Sequence, residues 1–447
     1  MIVLYMILRL MVRVTLRIFY KEFTVNGRER LPRKGPLIVV ANHPNTLMDP
    51  LIVASLLHQM AGFMGNGSLF RNKPLAKLLR FFNVIPVYRK QDIRPGENID
   101  NQDNFEHARA YLGEGGTLLI FPEGTSYAEK KLRDLRTGAA RIAMSYESAH
   151  DFQGGLVVMP LALNYTAPTR SRTRIRIDVG EPIPVSKFAD IHRQDNFEAV
   201  RALTEEVRQQ IASRMVVLDD KEQETLLSQV TRLMREQHKA DDRQHKGHPA
   251  LLAERNIADK IRSLKLQDSQ AYARLRDRFD KWFAMMDKLQ IREGFFRQSF
   301  QKWNGALLWV IMLLFLVLTA PAFVFGMLTN WLPYWFPGWV APKISDEIEY
   351  HAPIMMVLGM FLFPIWYALL LVAACLAAGI GGWWLAGLGL LLPVTGMFAL
   401  VYAQVARRFA GLSSLLHIKG KKRSILQALQ DQRDQLLDEL EKLLGMA

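Results

Sequence analysis

The residues best suited to chemistry stand in the run Leu37-Ile38-Val39-Val40-Ala41-Asn42-His43-Pro44-Asn45-Thr46-Leu47-Met48-Asp49-Pro50. A carboxylate that reaches an imidazole fixes its tautomer and raises its basicity, which is what proton abstraction by His43 requires of Asp49. On a continuous helix the six-position step from one to the other turns roughly 240° around the axis, so the two meet only across a turn. Pro44 favours that turn, because it pushes His43 out of the α region and suits a helix beginning near Asn45. Two further groups complement the pair. Phe121-Pro122-Glu123-Gly124-Thr125-Ser126 offers a carboxylate, a glycine that permits close backbone approach, and amides and hydroxyls fit for a phosphate. Val87-Tyr88-Arg89-Lys90 and Arg136-Thr137-Gly138 supply cations for an anion. Singly each is weak, since a turn histidine beside an unrelated acid, or a solvated arginine, is ordinary. Three strands ending in a base, a carboxylate and a cation are a much stronger sign.

The elements that must position these groups follow from the pattern. Leu37–Ala41, apolar and rich in β-branched residues, reads as a buried strand broken by Asn-His-Pro, so His43 sits at a strand's carboxyl end, where open α/β sheets bind ligands. Thr117–Phe121 places Glu123 likewise. Val84–Tyr88, Leu156–Leu163 and Arg174–Val179 are the other candidate strands, and 74–82, 104–113, 137–148 and 196–215 the candidate helices. The alternation defines an α/β domain over 25–216.

The rest of the chain has another character. Its 447 residues exceed one ordinary core, and 57 Lys and Arg against 43 Asp and Glu leave a formal charge of +14, which calls for an anionic partner. Long apolar runs decide for a membrane over nucleic acid. Cys375, the single cysteine, lies in such a run and rules out a disulfide framework or a thiolate metal site. Residues 1–24 form an apolar helix interrupted by Arg9, Arg13 and Arg17; a spanning placement would bury Arg13 mid-bilayer at about 3 kcal/mol, so an in-plane interfacial helix is expected. Residues 217–302 are charged and periodic at three and four, a helical hairpin turning near Gly247, with His238, His245 and His248 reading as a solvated polar turn before a metal site. Residues 303–403 hold two or three membrane-spanning helices. Basic residues at both ends (Arg292, Arg297 and Lys302; Arg407, Arg408, Lys419, Lys421, Lys422 and Arg423) put those ends on one side, which three full crossings would not. Residues 404–447 end in an amphipathic helix that can self-associate or lie on a membrane.

Together, Asn42-His43-Pro44-Asn45-Thr46-Leu47-Met48-Asp49, Val84-Ile85-Pro86-Val87-Tyr88-Arg89, Phe121-Pro122-Glu123-Gly124-Thr125 and Val157-Val158-Met159-Pro160-Leu161 resemble the four ordered motifs of the membrane glycerolipid acyltransferases, over residues 25–215. Five residues separate His43 from Asp49 where the common form has four, and Ser126 stands where an arginine often follows Gly-Thr. Both features look like the branch containing the fungal glycerol-3-phosphate/dihydroxyacetone-phosphate acyltransferases, which also carries membrane spans after the catalytic domain. The resemblance implies an α/β fold with a mixed sheet and flanking helices, a helical insert and C-terminal transmembrane helices. It further implies acyl transfer from acyl-CoA or acyl carrier protein to a hydroxyl of a glycerol phosphate acceptor, glycerol 3-phosphate or 1-acylglycerol 3-phosphate. His43, oriented by Asp49, would be the base; Arg89, with Arg136, would bind the acceptor phosphate; Glu123, Gly124 and Thr125 would shape its pocket; Pro160 would end a strand lining it. No cofactor or metal is implied beyond the acyl donor as co-substrate, and the catalytic domain would face membrane lipids from the cytoplasmic side. A hydrolase would want a Gly-x-Ser-x-Gly elbow, which does not accompany His43. Intact His43, Asp49 and Glu123 argue against a non-catalytic membrane scaffold.

Overall fold

The computed structural model describes residues 2–87, 102–237, 248–288, 305–379, 381–421 and 423–444. They fall into two compact units, Met1–Val217 with Ala341–Met356, and Leu218–Val340 with Val357–Ala447.

The first unit is built on a mixed sheet of β1 (Glu22–Asn26), β2 (Leu37–Ala41), β3 (Ala61–Asn66), β4 (Val84–Val87), β5 (Thr117–Ile120), β6 (Val157–Tyr165), β7 (Arg174–Val179) and β8 (Ile183–Pro184), in the order β1-β7-β6-β2-β5-β3-β4. From β6 to β4 all neighbours are parallel; β7 and β8 pair antiparallel to β6. β2 is buried along its whole length because helices cover both faces, which is why it reads as an unbroken apolar run. Ile38, Val40, Leu118, Ile120 and Val158 meet the apolar faces of α5 (Gly138–Ser148) and α7 (Asn196–Ala212) through Ile142, Leu203 and Val207. Val39, Leu119 and Met159, one position along, are equally buried and point to the opposite face, as strand periodicity demands.

β2 and β7 coincide with their sequence expectation, and β6 runs two residues past it, to Tyr165. Pro160 lies inside β6 rather than ending it. Its missing N–H falls in the gap between the stretch paired to β8 (Val157 and Val158) and the stretch paired to β7 (from Leu161), so no ladder bond is lost. β1, β3 and β8 are not marked by the pattern, and the helix expected to begin near Asn45 is α2 (Met48–Leu56), three residues further on.

The first helix, α1 (Ile2–Phe19), turns Arg9 and Arg13 inward and leaves Arg17 exposed. Arg13 Nε donates to the Ser55 carbonyl at 2.8 Å and Arg9 Nη1 to that of His58 at 3.3 Å, at the negative end of the α2 dipole. Val12, Leu16 and Phe19 pack on the domain, leaving Ile7, Leu10, Val14 and Ile18 as an exposed apolar stripe.

In the second unit, α8 (Lys221–Gln237), α9 (His248–Gln267) and α10 (Ser269–Lys288) bury Leu227, Ile261, Leu275 and Phe279 together with Leu436 and Leu440 of the helix Arg423–Leu444. An ion pair of Arg278 with Glu439 joins α10 to that last helix, whose apolar face is thus occupied within the chain instead of being free for self-association or a membrane. Among the described residues the single hairpin is corrected to three helices. The turn near Gly247, with His238 and His245, lies outside the described residues, but a second break occurs at Asp268, whose carboxylate caps α10 by accepting from the amides of Gln270 (3.1 Å) and Ala271 (2.8 Å).

Three segments, Leu307–Ile344, Ile348–Ala378 and Trp383–Ser413, are helical, long and apolar enough to span a membrane. Trp309 Nε1 donates to Ser413 Oγ (2.8 Å), the Tyr402 hydroxyl to the Leu316 carbonyl (3.0 Å) and Asn330 Nδ2 to the Leu392 carbonyl (3.2 Å). Rising numbers meet falling ones, so the first and third segments run antiparallel. Gly326 makes the crossing possible, since a Cβ there would stand 2.2 Å from the Thr395 carbonyl oxygen. Arg407 and Arg408 therefore lie toward the end where the first segment begins; Arg292, Arg297 and Lys302 lie outside the described residues.

Candidate active site

Parallel register brings the site together. Val40 of β2 stands opposite Ile120 of β5, and the same register carried three residues on sets His43 against Glu123. The His43 amide donates to Glu123 Oε1 at 2.9 Å, and the imidazole stacks on Phe121 with centroids 4.2 Å apart. On its other side β2 is pinned by Asn42, whose side chain donates to the Leu163 carbonyl (3.1 Å) and accepts from the Leu163 amide (2.7 Å), in place of a further strand pair.

Asp49 enters from the first turn of α2. His43 Nδ1 lies 2.9 Å from Asp49 Oδ2, and because a carboxylate only accepts, Nδ1 carries the proton and Nε2 is left as the basic nitrogen. The same Oδ2 accepts from the Asn45 amide at 2.7 Å, while the Asp49 amide donates to the Asn45 carbonyl at 3.1 Å. This reciprocal pair closes the turn and absorbs the fifth residue between base and acid. The hydroxyl of Tyr165 donates to Oδ1. The adjoining Thr46 hydroxyl donates to the Glu349 carbonyl at 3.1 Å, tying the turn to the segment Ala341–Met356 of the same unit.

Electrostatics follow from burial. Asp49 is wholly buried, and desolvation raises its pKa above the ordinary value against the opposing bonds from His43, Tyr165 and Asn45. Glu123 is raised for the same reason, opposed by the His43 amide. Burial, and then the charge of Asp49, push Tyr165 well above the usual phenol range, so it holds its proton and donates.

Beyond Glu123 the chain turns through Gly124 at φ +74, a left-handed conformation that favours glycine. A Cβ there would stand 2.9 Å from Arg136 Nε, so the missing side chain is what lets the guanidinium lie against the loop. Arg136 is also held through its amide, which donates to the Pro122 carbonyl at 2.9 Å, and Thr125 sits half-buried in the same loop. The structure therefore joins His43, Asp49 and Glu123 directly and sets Gly124, Thr125 and Arg136 alongside; Arg89 lies outside the described residues. Among the described residues no group of three or more His, Cys, Asp or Glu is placed to hold a metal ion. Sequence reasoning misses Tyr165, because the apolar run that marks its strand ends at Leu163, and misses Asn42 and Asn45, whose bonds depend on that strand and turn.

A histidine at the end of one parallel strand is thus oriented by a buried carboxylate and backed by a second carboxylate from the next strand. Residues 22–164, from β1 to the penultimate residue of β6, match the model of the Acyltransferase family. The chain is 22% identical over 305 residues to an uncharacterized acyltransferase of Schizosaccharomyces pombe, covering 49% of this chain and 45% of that protein. It is 22% identical over 301 residues to glycerol-3-phosphate O-acyltransferase 1 of Saccharomyces cerevisiae (48% and 40%) and 28% identical over 188 residues to a 1-acyl-sn-glycerol-3-phosphate acyltransferase of Chlamydomonas reinhardtii (38% and 49%). The chain thus spans less than half the length of each of these relatives.

Proposed function

We propose that the protein transfers a fatty acyl group from acyl-CoA or acyl carrier protein to a hydroxyl of glycerol 3-phosphate or dihydroxyacetone phosphate. The observation that carries this is the 2.9 Å bond between His43 Nδ1 and buried Asp49 Oδ2, inside the stretch that matches the Acyltransferase family. His43 Nε2 takes the proton of the acceptor hydroxyl as its oxygen bonds to the thioester carbonyl carbon; the C–S bond then breaks and the imidazolium returns the proton to the departing thiolate. Asp49 stabilises the transient imidazolium. Arg136, open to solvent beside Gly124, and Arg89 bind the acceptor phosphate, while Glu123 holds the His43 backbone in place and, with Gly124 and Thr125, shapes the pocket. The apolar segments retain the enzyme at the membrane that receives its amphiphilic product, with the domain on the cytoplasmic face where acyl donors are made.

The name of the Chlamydomonas relative favours one other acceptor, 1-acylglycerol 3-phosphate. Purified protein in phospholipid micelles, given radiolabelled acyl-CoA with each acceptor in turn, separates the two by which one yields product. His43→Ala should lower turnover by about 10²–10⁴ with an unchanged thermal transition. Near-native turnover in that variant would refute the mechanism.

A further inference from the structure

The carboxylate that orients His43 is itself held from a third direction. Oδ2 of Asp49 receives His43 Nδ1 and the Asn45 amide at 2.9 and 2.7 Å, and Oδ1 receives the Tyr165 hydroxyl. Tyr165 is the last residue of β6, the strand that lies directly beside β2. Its ring is buried, packed 6.1 Å from that of Tyr20, which follows α1. A phenylalanine would fill this core position equally well; only the hydroxyl answers to Oδ1, which would otherwise be a buried oxygen of a charged group without a donor.

We propose, on the acyl-transfer reading above, that Tyr165 is a positioning residue for the dyad: its O–H fixes Oδ1, so that Oδ2 stays in line with His43 Nδ1 and Nε2 stays aimed at the acceptor hydroxyl. Without it the carboxylate is free to rotate about Cβ–Cγ and to offer His43 either oxygen, and the imidazole loses its fixed orientation. The hydroxyl has a second effect. By accepting this donor Asp49 spreads its charge over three bonds, which moderates how strongly it holds the imidazolium. Tyr165 thus sets both the direction and the basicity of the base while touching neither substrate.

The test is Tyr165→Phe in the full-length protein, which keeps the ring and removes the hydroxyl. Turnover should fall about tenfold, the loss of one hydrogen bond to a charged group, with the acceptor KM within about twofold. The acidic limb of kcat/KM should move to higher pH, since a carboxylate with one donor fewer binds the imidazolium more tightly. A residue that only fills the core would lower the melting temperature and leave that limb in place. NMR titration of isotope-labelled histidine, with the His43 signal assigned by its loss in His43→Gln, reads the same shift without turnover. Should Tyr165→Phe not fold, site-specific fluorotyrosine at 165 strengthens the donor, and the limb and the His43 midpoint should move to lower pH. Unchanged turnover, limb and midpoint in a folded variant would overturn the proposal. If the wild type transfers acyl groups to no acceptor, the functional reading fails, and the His43 midpoint alone decides the role of Tyr165.

Discussion

Asp49→Asn and Asp49→Ala should part company, and the three bonds at Asp49 say by how much. In the asparagine variant the amide oxygen can take the place of Oδ2, accepting from His43 Nδ1 and the Asn45 amide, and the NH2 group then faces Tyr165, whose hydroxyl rotates to accept. Every buried group keeps a partner, so the fold should survive. What disappears is charge, and it matters when His43 becomes an imidazolium 2.9 Å from Oδ2. Trading a charge-assisted bond for a neutral one costs about 1.5 kcal/mol, a lower bound; Coulomb attraction at that distance with an effective dielectric near 20 is about 6 kcal/mol, an upper bound. Turnover should therefore fall by about 10²–10³, between bounds of about 10 and about 10⁴. Asp49→Ala instead strands three buried donors at about 1–3 kcal/mol each, comparable to the whole stability of a domain, about 5–15 kcal/mol. It should be largely unfolded. Initial rates at saturating acceptor, paired with thermal unfolding followed by tryptophan fluorescence, measure both. Asparagine turnover within about threefold of wild type, or an alanine variant as stable as the asparagine one, would show that Asp49 does not do what the geometry says.

Two further outcomes rest on burial. Because desolvation raises the folded pKa of Glu123, the folded state binds its proton more tightly than the unfolded one, and that contribution to stability is lost as pH rises from the ordinary carboxylate range through the raised value. Glu123→Gln can still accept from the His43 amide and does not titrate, so its melting temperature relative to wild type should climb across that window; a flat or falling difference would contradict the burial argument. On α1, in a chain ending at Val217 and so without the apolar segments, Leu10→Glu in the exposed stripe should weaken flotation on anionic vesicles about tenfold or more, whereas Arg13→Gln, which frees the Ser55 carbonyl, should lower the melting temperature and leave flotation largely intact. The opposite ranking would mean that the arginines, not the stripe, meet the membrane.

What the sequence disclosed and what it hid divide along physical lines. β2 and β7 are legible because strands carry their burial in their own composition, five apolar residues in one case and alternation in the other. β3 is not, since Ala-Gly-Phe-Met-Gly-Asn looks like a loop; its glycines are there because Tyr111 and Val84 lie where their Cβ atoms would be, at 3.0 and 2.7 Å. The four-residue spacing of Arg9, Arg13 and Arg17 gives a stripe but not its direction: Arg9 and Arg13 turn to the carbonyls at the end of α2, while Arg17 stays exposed. Tyr165 is the same case at the site: its type is ordinary for a strand, and only the register of β6 against β2 brings it to Asp49. The five residues between His43 and Asp49 make the point from the other side. Counted along the chain they depart from the common four, yet the dyad closes at 2.9 Å because Asn45 and Asp49 exchange an amide-to-carboxylate and an amide-to-carbonyl bond across the turn. Base and acid are held by that exchange and not by the count, so an insertion within 44–48 is tolerated only where the pairing of Asn45 with Asp49 is kept.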